Sequence, residues 1–151
     1  MKGSEGRFAR LSIVVGAEIF LIGGIFMLFS GKLNMDEAWY LYASKLVYRG
    51  EIPYRDFAFT QMPLLPYIYG IPQLMFGQSL LVGRATSLFF TTLSFFLALK
   101  VTHRYSGATG AGLTAIFLGT FFFGIYNLTI VKTYALVTFF FLLAFFVLSG
   151  E

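Results

Sequence analysis

The sequence contains no cysteine, which excludes a disulfide framework, a thiolate metal site and a cysteine nucleophile. Charge is also scarce: 12% of the residues are charged, whereas a soluble domain carries roughly 25%. With 58% hydrophobic residues, the composition instead indicates a membrane protein. The net charge of +4 does not predict nucleic-acid binding, because the basic residues are scattered at membrane boundaries, where they set orientation. His103 is the single histidine and sits in a turn, so we expect neither a metal site nor a cofactor.

Four apolar runs are long enough to cross a bilayer as helices. The first has 19 residues, which at about 1.5 Å per residue approaches the roughly 30 Å hydrocarbon core. It is too long for the apolar part of a signal peptide. The turn at 106–108 is short, so the second and third runs should form an antiparallel hairpin. We therefore predict an all-α integral membrane protein, a single domain over residues 1–151, with spans at about 11–29, 80–99, 108–126 and 130–148.

Basic residues at the start of the chain and in the turn at 100–104 define the predicted orientation. The N-terminus should be cytoplasmic, because Lys and Arg are enriched on that side of membranes. Both basic turns share a side only if an even number of spans separates them. The short, proline-interrupted segment 63–76 should therefore not cross. The prediction is a multi-pass protein of the cell membrane with an external loop over about residues 30–79.

Glu18 lies about eight residues into the first predicted span. A charge at that depth is costly and usually faces protein or water. We expect Glu18 to form a hydrogen bond with a neighbouring helix.

A helix is predicted in the external loop over about residues 35–48. Asn34 can cap it, with Glu37 as the capping-box partner, and Gly50 can end it. Such an amphipathic helix would lie along the membrane surface. Its predicted apolar face consists of Trp39, Tyr42, Ala43, Leu46 and Val47.

Two interpretations of Asp36 and Glu37 stay open from the residues alone. Carboxylates in a first helical turn complement the helix dipole, which contributes roughly 0.3–1 kcal/mol. Alternatively, one of them is a general base at the lipid–water boundary, where it must reach the proton that it removes.

The segment 53–57 reads Pro-Tyr-Arg-Asp-Phe, and its proline predicts an extended or turn conformation. The planar guanidinium of Arg55 suits either Asp56 or a phosphate group. Tyr54, Arg55, Asp56 and Gln61 are our candidate substrate-binding residues.

The region from Asp36 to Arg84 carries a series of short elements. They are Asp36-Glu37-Ala38, Tyr40, Ala43, Gly50, Pro53-Tyr54-Arg55-Asp56-Phe57, Pro63-Leu64-Leu65, Phe76-Gly77 and Arg84. In order and spacing they resemble the N-terminal part of the C-type membrane glycosyltransferases (GT-C), such as the protein O-mannosyltransferases and the aminoarabinose transferases. The resemblance covers about residues 8–148. It implies a polyprenyl-phosphate-linked sugar as donor, with Asp36 as catalytic carboxylate and Glu37 as its neighbour.

The chain departs from that family at two positions and in length. Many relatives have Lys or His directly before the proline that matches Pro63, where this chain has Gln61-Met62. Some carry an Asp near the start of the fourth span, where this chain has Lys132. Relatives are several times longer, so the 151 residues match only their N-terminal part, and we expect this chain alone to be inactive.

The leading hypothesis is the N-terminal portion of a membrane glycosyltransferase that uses a polyprenyl-phosphate-linked sugar. The alternative is a non-enzymatic membrane subunit or assembly factor with the same architecture. The expected partners are the donor lipid, the bilayer, and either further membrane chains or a missing C-terminal part. No nucleic acid is expected.

Overall fold

The computed structural model describes residues 2–149, and every regular element in that range is a helix. The helices are α1 (Lys2–Ser30), α2 (Met35–Val47), α3 (Leu64–Phe76), α4 (Leu80–Thr120), α5 (Phe122–Thr129) and α6 (Thr133–Leu148). Two segments, Gly6–Ser30 and Leu80–Thr120, are long and apolar enough to cross a membrane. The number rises to three if α5 and α6, which are bent by 106° relative to each other, count as one broken span. The predicted all-helical class is confirmed for this part of the chain.

Helix α4 consists of two arms that fold back on each other at Gly107. Gly107 has φ 65° and ψ −166°, a conformation that glycine adopts without a Cβ clash. The hydroxyl oxygens of Thr102 and Thr114 are 3.3 Å apart, although twelve residues of straight helix would separate them by about 18 Å. The chain therefore reverses at the turn where the sequence predicts a hairpin. We call residues 80–106 the first arm and residues 108–120 the second arm.

Helix α1 packs closely against the second arm. A side chain at Gly16 would collide with the backbone of Ala115, and one at Gly119 would collide with the backbone of Gly16. Small residues allow such close approach of helix backbones in membranes. Farther along, Gly23 lies against Ile125 of α5, so α1 runs parallel to this part of the chain.

The first arm runs antiparallel to α1. The ring of Phe20 stacks on that of Phe95 with centroids 4.6 Å apart. One turn later in α1, Gly24 meets Leu88, which precedes Phe95 in the first arm.

Contrary to the prediction, Glu18 meets no neighbouring helix within residues 6–149. Its side chain is exposed, whereas Gly16 and Phe20 are buried against the rest of the protein. At 100° per residue, Glu18 points to the side of α1 opposite these packing residues.

The predicted third and fourth spans have different bounds in the structure. Helix α4 ends at Thr120, and Phe121 leaves the helical conformation with φ −80° and ψ 69°. Helix α6, which corresponds to the predicted fourth span, begins at Thr133 rather than at residue 130. The reason lies in Val131, whose backbone N–H donates to the carboxylate of Glu37 instead of to a helical carbonyl.

Helix α2 packs on the protein through a face that shares only Ala43 and Leu46 with the predicted apolar face. Its buried hydrophobic residues are Tyr40, Ala43 and Leu46, whereas Trp39 is 37% exposed and Tyr42 is 51% exposed. The buried face also carries Glu37 and Ser44, so polar contacts hold it in place as well as apolar ones.

The predicted non-crossing segment is α3, a helix of 13 residues that packs against α2 and the first arm. Its Tyr69 is fully buried, with the hydroxyl 2.8 Å from Ser87 Oγ. Gln73 binds both backbone groups of Ser79 and so fixes the turn into α4. At about 1.5 Å per residue, α3 is roughly 20 Å long and too short for the hydrocarbon core.

Candidate functional site

Glu37 lies in the first turn of α2 and is completely buried. Its carboxylate accepts two hydrogen bonds from Arg84, at 2.9 Å to Oε1 and 2.7 Å to Oε2. The backbone N–H groups of Asn34 and Val131 donate to it at 3.1 and 3.0 Å. The Asn34 contact completes the capping box that the sequence predicts. Both carboxylate oxygens are thus occupied by donors inside the protein.

Arg84 in the first arm extends this contact to the end of α1. Its two Nη groups donate to the carbonyls of Leu28, Gly31 and Lys32, at 3.4, 2.9 and 2.9 Å. The Glu37–Arg84 pair therefore joins the end of α1, the start of α2, the first arm and the segment before α6. Every one of these contacts is to protein groups, so the pair orders this end of the helices.

The pKa of Glu37 is lowered below its ordinary value of 4.5. Burial by itself raises the pKa of a carboxyl group, because it disfavours the charged form. The hydrogen bonds from Arg84, Val131 and Asn34, together with the charge of Arg84, outweigh this effect. Glu37 is therefore held as a carboxylate, and it has no free lone pair with which to accept a substrate proton.

Asp36 is the accessible carboxylate of the predicted pair. Its side chain is 57% exposed, and its Oδ2 lies 2.8 Å from Nζ of Lys132, which is 17% exposed. Lys132 is the N-cap of α6, and its ammonium also lies 5.6 Å from the ring of Tyr134. One face of α2 is thus locked by Glu37 while Asp36 points outward beside a cation.

The predicted substrate-binding segment forms a closed turn. Arg55 donates from Nε and Nη2 to the two oxygens of Asp56, at 2.9 and 2.8 Å. Asp56 also accepts from the backbone N–H of Ile52 at 2.8 Å. The neighbouring Arg55 lowers the pKa of Asp56, which in turn raises the pKa of Arg55. Of the two partners open to Arg55 from the sequence, the structure has Asp56.

Tyr54 and Gln61 are brought together on the same loop. Tyr54 has a positive φ of 69°, and its hydroxyl donates to the backbone carbonyl of Gln61. Its ring packs against Phe59, which also contacts Trp39 and Tyr40 of α2. Trp39 and Tyr40 lie three and four residues after Asp36 in α2. Phe59 therefore holds the 53–61 loop against the helix that carries Asp36.

An apolar groove of about 590 Å³ runs between the start of α3 and α6. The lining residues are Met62, Pro63, Leu64, Leu65, Tyr67, Thr133, Leu136, Val137, Phe140 and Phe141. Gln61 and Lys132 each directly precede a lining residue, Met62 and Thr133. Gln61 and Lys132 therefore lie at the edge of a groove whose lining is mostly aliphatic and aromatic.

Two residues of this region escape sequence reasoning as partners. In the sequence, Arg84 was one element of the family resemblance and Lys132 a departure from it, and neither was assigned a partner. The available signal was that a charge inside a span requires a partner, which for Arg84 points to an acid at the same membrane face.

Comparison with family models, curated proteins and solved structures returns no match for this chain.

Proposed function

We propose that this chain forms the donor-lipid part of a membrane glycosyltransferase that uses a polyprenyl-phosphate-linked sugar. The observation that carries the proposal is the Asp36–Lys132 pair, in which Asp36 is 57% exposed and Lys132 directly precedes Thr133 of the apolar groove. A polyprenyl phosphate has the matching form, since it combines a long apolar chain with an anionic head group. The C-type resemblance of the sequence points to the same class of substrate.

The proposed topology is a multi-pass protein of the cell membrane with four crossings and a cytoplasmic N-terminus. The second arm is as short as α3, so in this topology it forms the third crossing together with α5, which continues alongside α1. Two observations support it. Arg104 bonds to Phe146 and Ser149, so the end of α6 meets the Gly107 turn at one end of the molecule. The Glu37–Arg84 pair lies at the opposite end, as expected if the main helical segments alternate in direction.

In this proposal Lys132 binds the donor phosphate and Asp36 acts on the acceptor. The ammonium group of Lys132 can bind a phosphate as a point charge. When the donor enters, this ammonium would release the Asp36 carboxylate and bind the phosphate instead. Asp36 would then be free to take a proton from the acceptor group, as a general base must. Glu37 acts as a positioning residue, because it fixes the helical turn from which Asp36 projects.

Polyprenyl-phosphate binding tests the proposal directly. The intrinsic fluorescence of Trp39, the single tryptophan, reports on the site because it lies three residues from Asp36. The purified chain in nanodiscs is titrated with undecaprenyl phosphate or with undecaprenol, which lacks the phosphate. We expect a saturable change with the phosphate that undecaprenol reproduces only at higher mole fraction.

Two variants separate the roles of the pair. Lys132→Gln should raise the half-saturating fraction of undecaprenyl phosphate roughly tenfold or more, the scale of a lost charged hydrogen bond. Asp36→Asn should bind the donor as well as the unaltered chain or better, since it removes a competing anion. Lys32→Gln, an exposed lysine near the same end, is the matched control and should leave binding unchanged. Equal binding of phosphate and alcohol would overturn the proposal in favour of a non-enzymatic subunit.

A further inference from the structure

Glu18 occupies an unusual place for a carboxylate. It is the middle residue of the apolar segment Gly6–Ser30, about 18 Å from either end at 1.5 Å per residue. Its side chain is exposed and makes no hydrogen bond or salt bridge within residues 6–149. Ionisable side chains at such depth are expensive in a bilayer and normally pair with another polar group.

The residues around Glu18 form a regular stripe on the same side of α1. Four exposed apolar residues belong to it: Leu11 (64% exposed), Val14 (52%), Leu21 (38%) and Ile25 (51%). With Glu18 in the series, neighbouring members are alternately three and four residues apart. This is the spacing of the contact residues in a left-handed pair of helices. We call these five residues the Glu18 stripe. A single polar residue within such a seam sets register and partner choice.

The partner of Glu18 is not supplied by the part of the chain that the structure describes. Arg84 and Arg55 are already engaged by carboxylates. The other basic residues within residues 6–149 lie toward helix ends or in the connections between helices, namely Arg7, Arg10, Lys32, Lys45, Arg49, Lys100, Arg104 and Lys132. A second copy packed symmetrically on the stripe would bring Glu18 against Glu18, so like groups would meet. Charge complementarity therefore favours a partner helix from outside the described residues that carries a cation at this depth.

We propose that the Glu18 stripe docks a transmembrane helix of another protein that presents a lysine or arginine near its midpoint. The leucine, valine and isoleucine side chains supply the packing surface, and the carboxylate supplies the one directional contact. The proposal is independent of the donor site, which lies at the external end of the molecule.

A synthetic transmembrane peptide tests this docking surface. The test peptide has a leucine host sequence with one lysine at its midpoint. The control peptide has leucine at that position. Energy transfer between labelled chain and labelled peptide in phosphatidylcholine vesicles gives the two dissociation constants. We expect the lysine peptide to bind about 3- to 30-fold more tightly, the range of one interhelical polar contact. The sequence change is in the peptide, so this comparison uses the unaltered chain.

Two variants of the chain complete the test. Glu18→Leu should abolish the preference for the lysine peptide. The double variant Glu18→Leu/Phe117→Glu moves the carboxylate to an exposed position of the second arm at similar depth, because Gly16 packs between Ala115 and Gly119. It should not restore the preference, since Phe117 lies outside the stripe. Full restoration, equal binding of both peptides, or tighter association of two labelled chains through Glu18 would each overturn the proposal.

Discussion

Replacement of Glu37 by glutamine should strongly destabilise the protein while preserving the size of the side chain. The amide nitrogen of glutamine is a donor and cannot accept the hydrogen bonds that one carboxylate oxygen of Glu37 now accepts. Donors such as Arg84 and the Val131 N–H would therefore lose their acceptor. The guanidinium of Arg84, only 3% exposed, would remain as a buried charge without its counter-ion.

The expected loss follows from the geometry of this pair. Removing one partner of a buried ion pair costs about 3–5 kcal/mol, because the other charge stays desolvated. Total stabilities are typically about 5–15 kcal/mol, so the variant should be severely weakened. A double variant, Glu37→Gln with Arg84→Gln, should lose less than the sum of the two single variants, since it leaves no lone charge.

Unfolding in mixed micelles with a rising fraction of dodecyl sulfate, followed by circular dichroism, measures these differences. Arg55→Gln is the matched control, because it breaks a surface ion pair in the loop after α2 and should leave the midpoint unchanged. If Glu37→Gln shifts the midpoint no more than Arg55→Gln does, the assigned role of the buried pair is refuted.

The same pair predicts a dependence on pH. The folded-state pKa of Glu37 lies below its ordinary value of 4.5, so its contribution to stability is fully present above about that pH. This contribution is lost as pH falls through the lowered folded-state pKa. As the pH is lowered from 7, the dodecyl sulfate fraction at the unfolding midpoint should therefore fall for the unaltered chain. It should fall less for Glu37→Gln. Parallel curves for the two proteins would contradict the assignment.

Two further predictions concern the packing and the topology. Gly16→Val should lower the free energy of unfolding by about 1–3 kcal/mol, because the new side chain overpacks against the Ala115 backbone. Gly6→Ala should be tolerated, because a Cβ there meets nothing within 4 Å. Equal midpoints of the two variants in the same unfolding assay would argue against close packing of α1 on the second arm. For the four-crossing topology, a cysteine at the exposed Gln78 should react with an impermeant maleimide in intact cells and one at the exposed Ser106 should not, and equal labelling would exclude the proposed arrangement.

Features that depend on nearby residues were predictable from the sequence. The capping box of Asn34 and Glu37 spans four residues, and the reversal at Gly107 needs only a glycine between two apolar runs. Membrane character follows from composition, because scarce charge leaves little that favours water. These predictions succeed since local backbone geometry and bulk hydrophobicity decide them. The catalytic assignment of Asp36 and the polyprenyl-phosphate donor stay predictions.

Other features depend on residues far apart in the chain. Glu37 meets Arg84 across 47 positions and Val131 across 94, and no local pattern encodes either separation. The packed face of α2 shares only Ala43 and Leu46 with the predicted apolar face, because this buried pair orients the helix. Glu18 likewise faces outward because Gly16 and Gly119 bring the opposite side of α1 against the second arm. Tertiary packing thus decided which of two adjacent carboxylates is locked inside and which is exposed, since only one face of a helix can be buried against the rest of the protein.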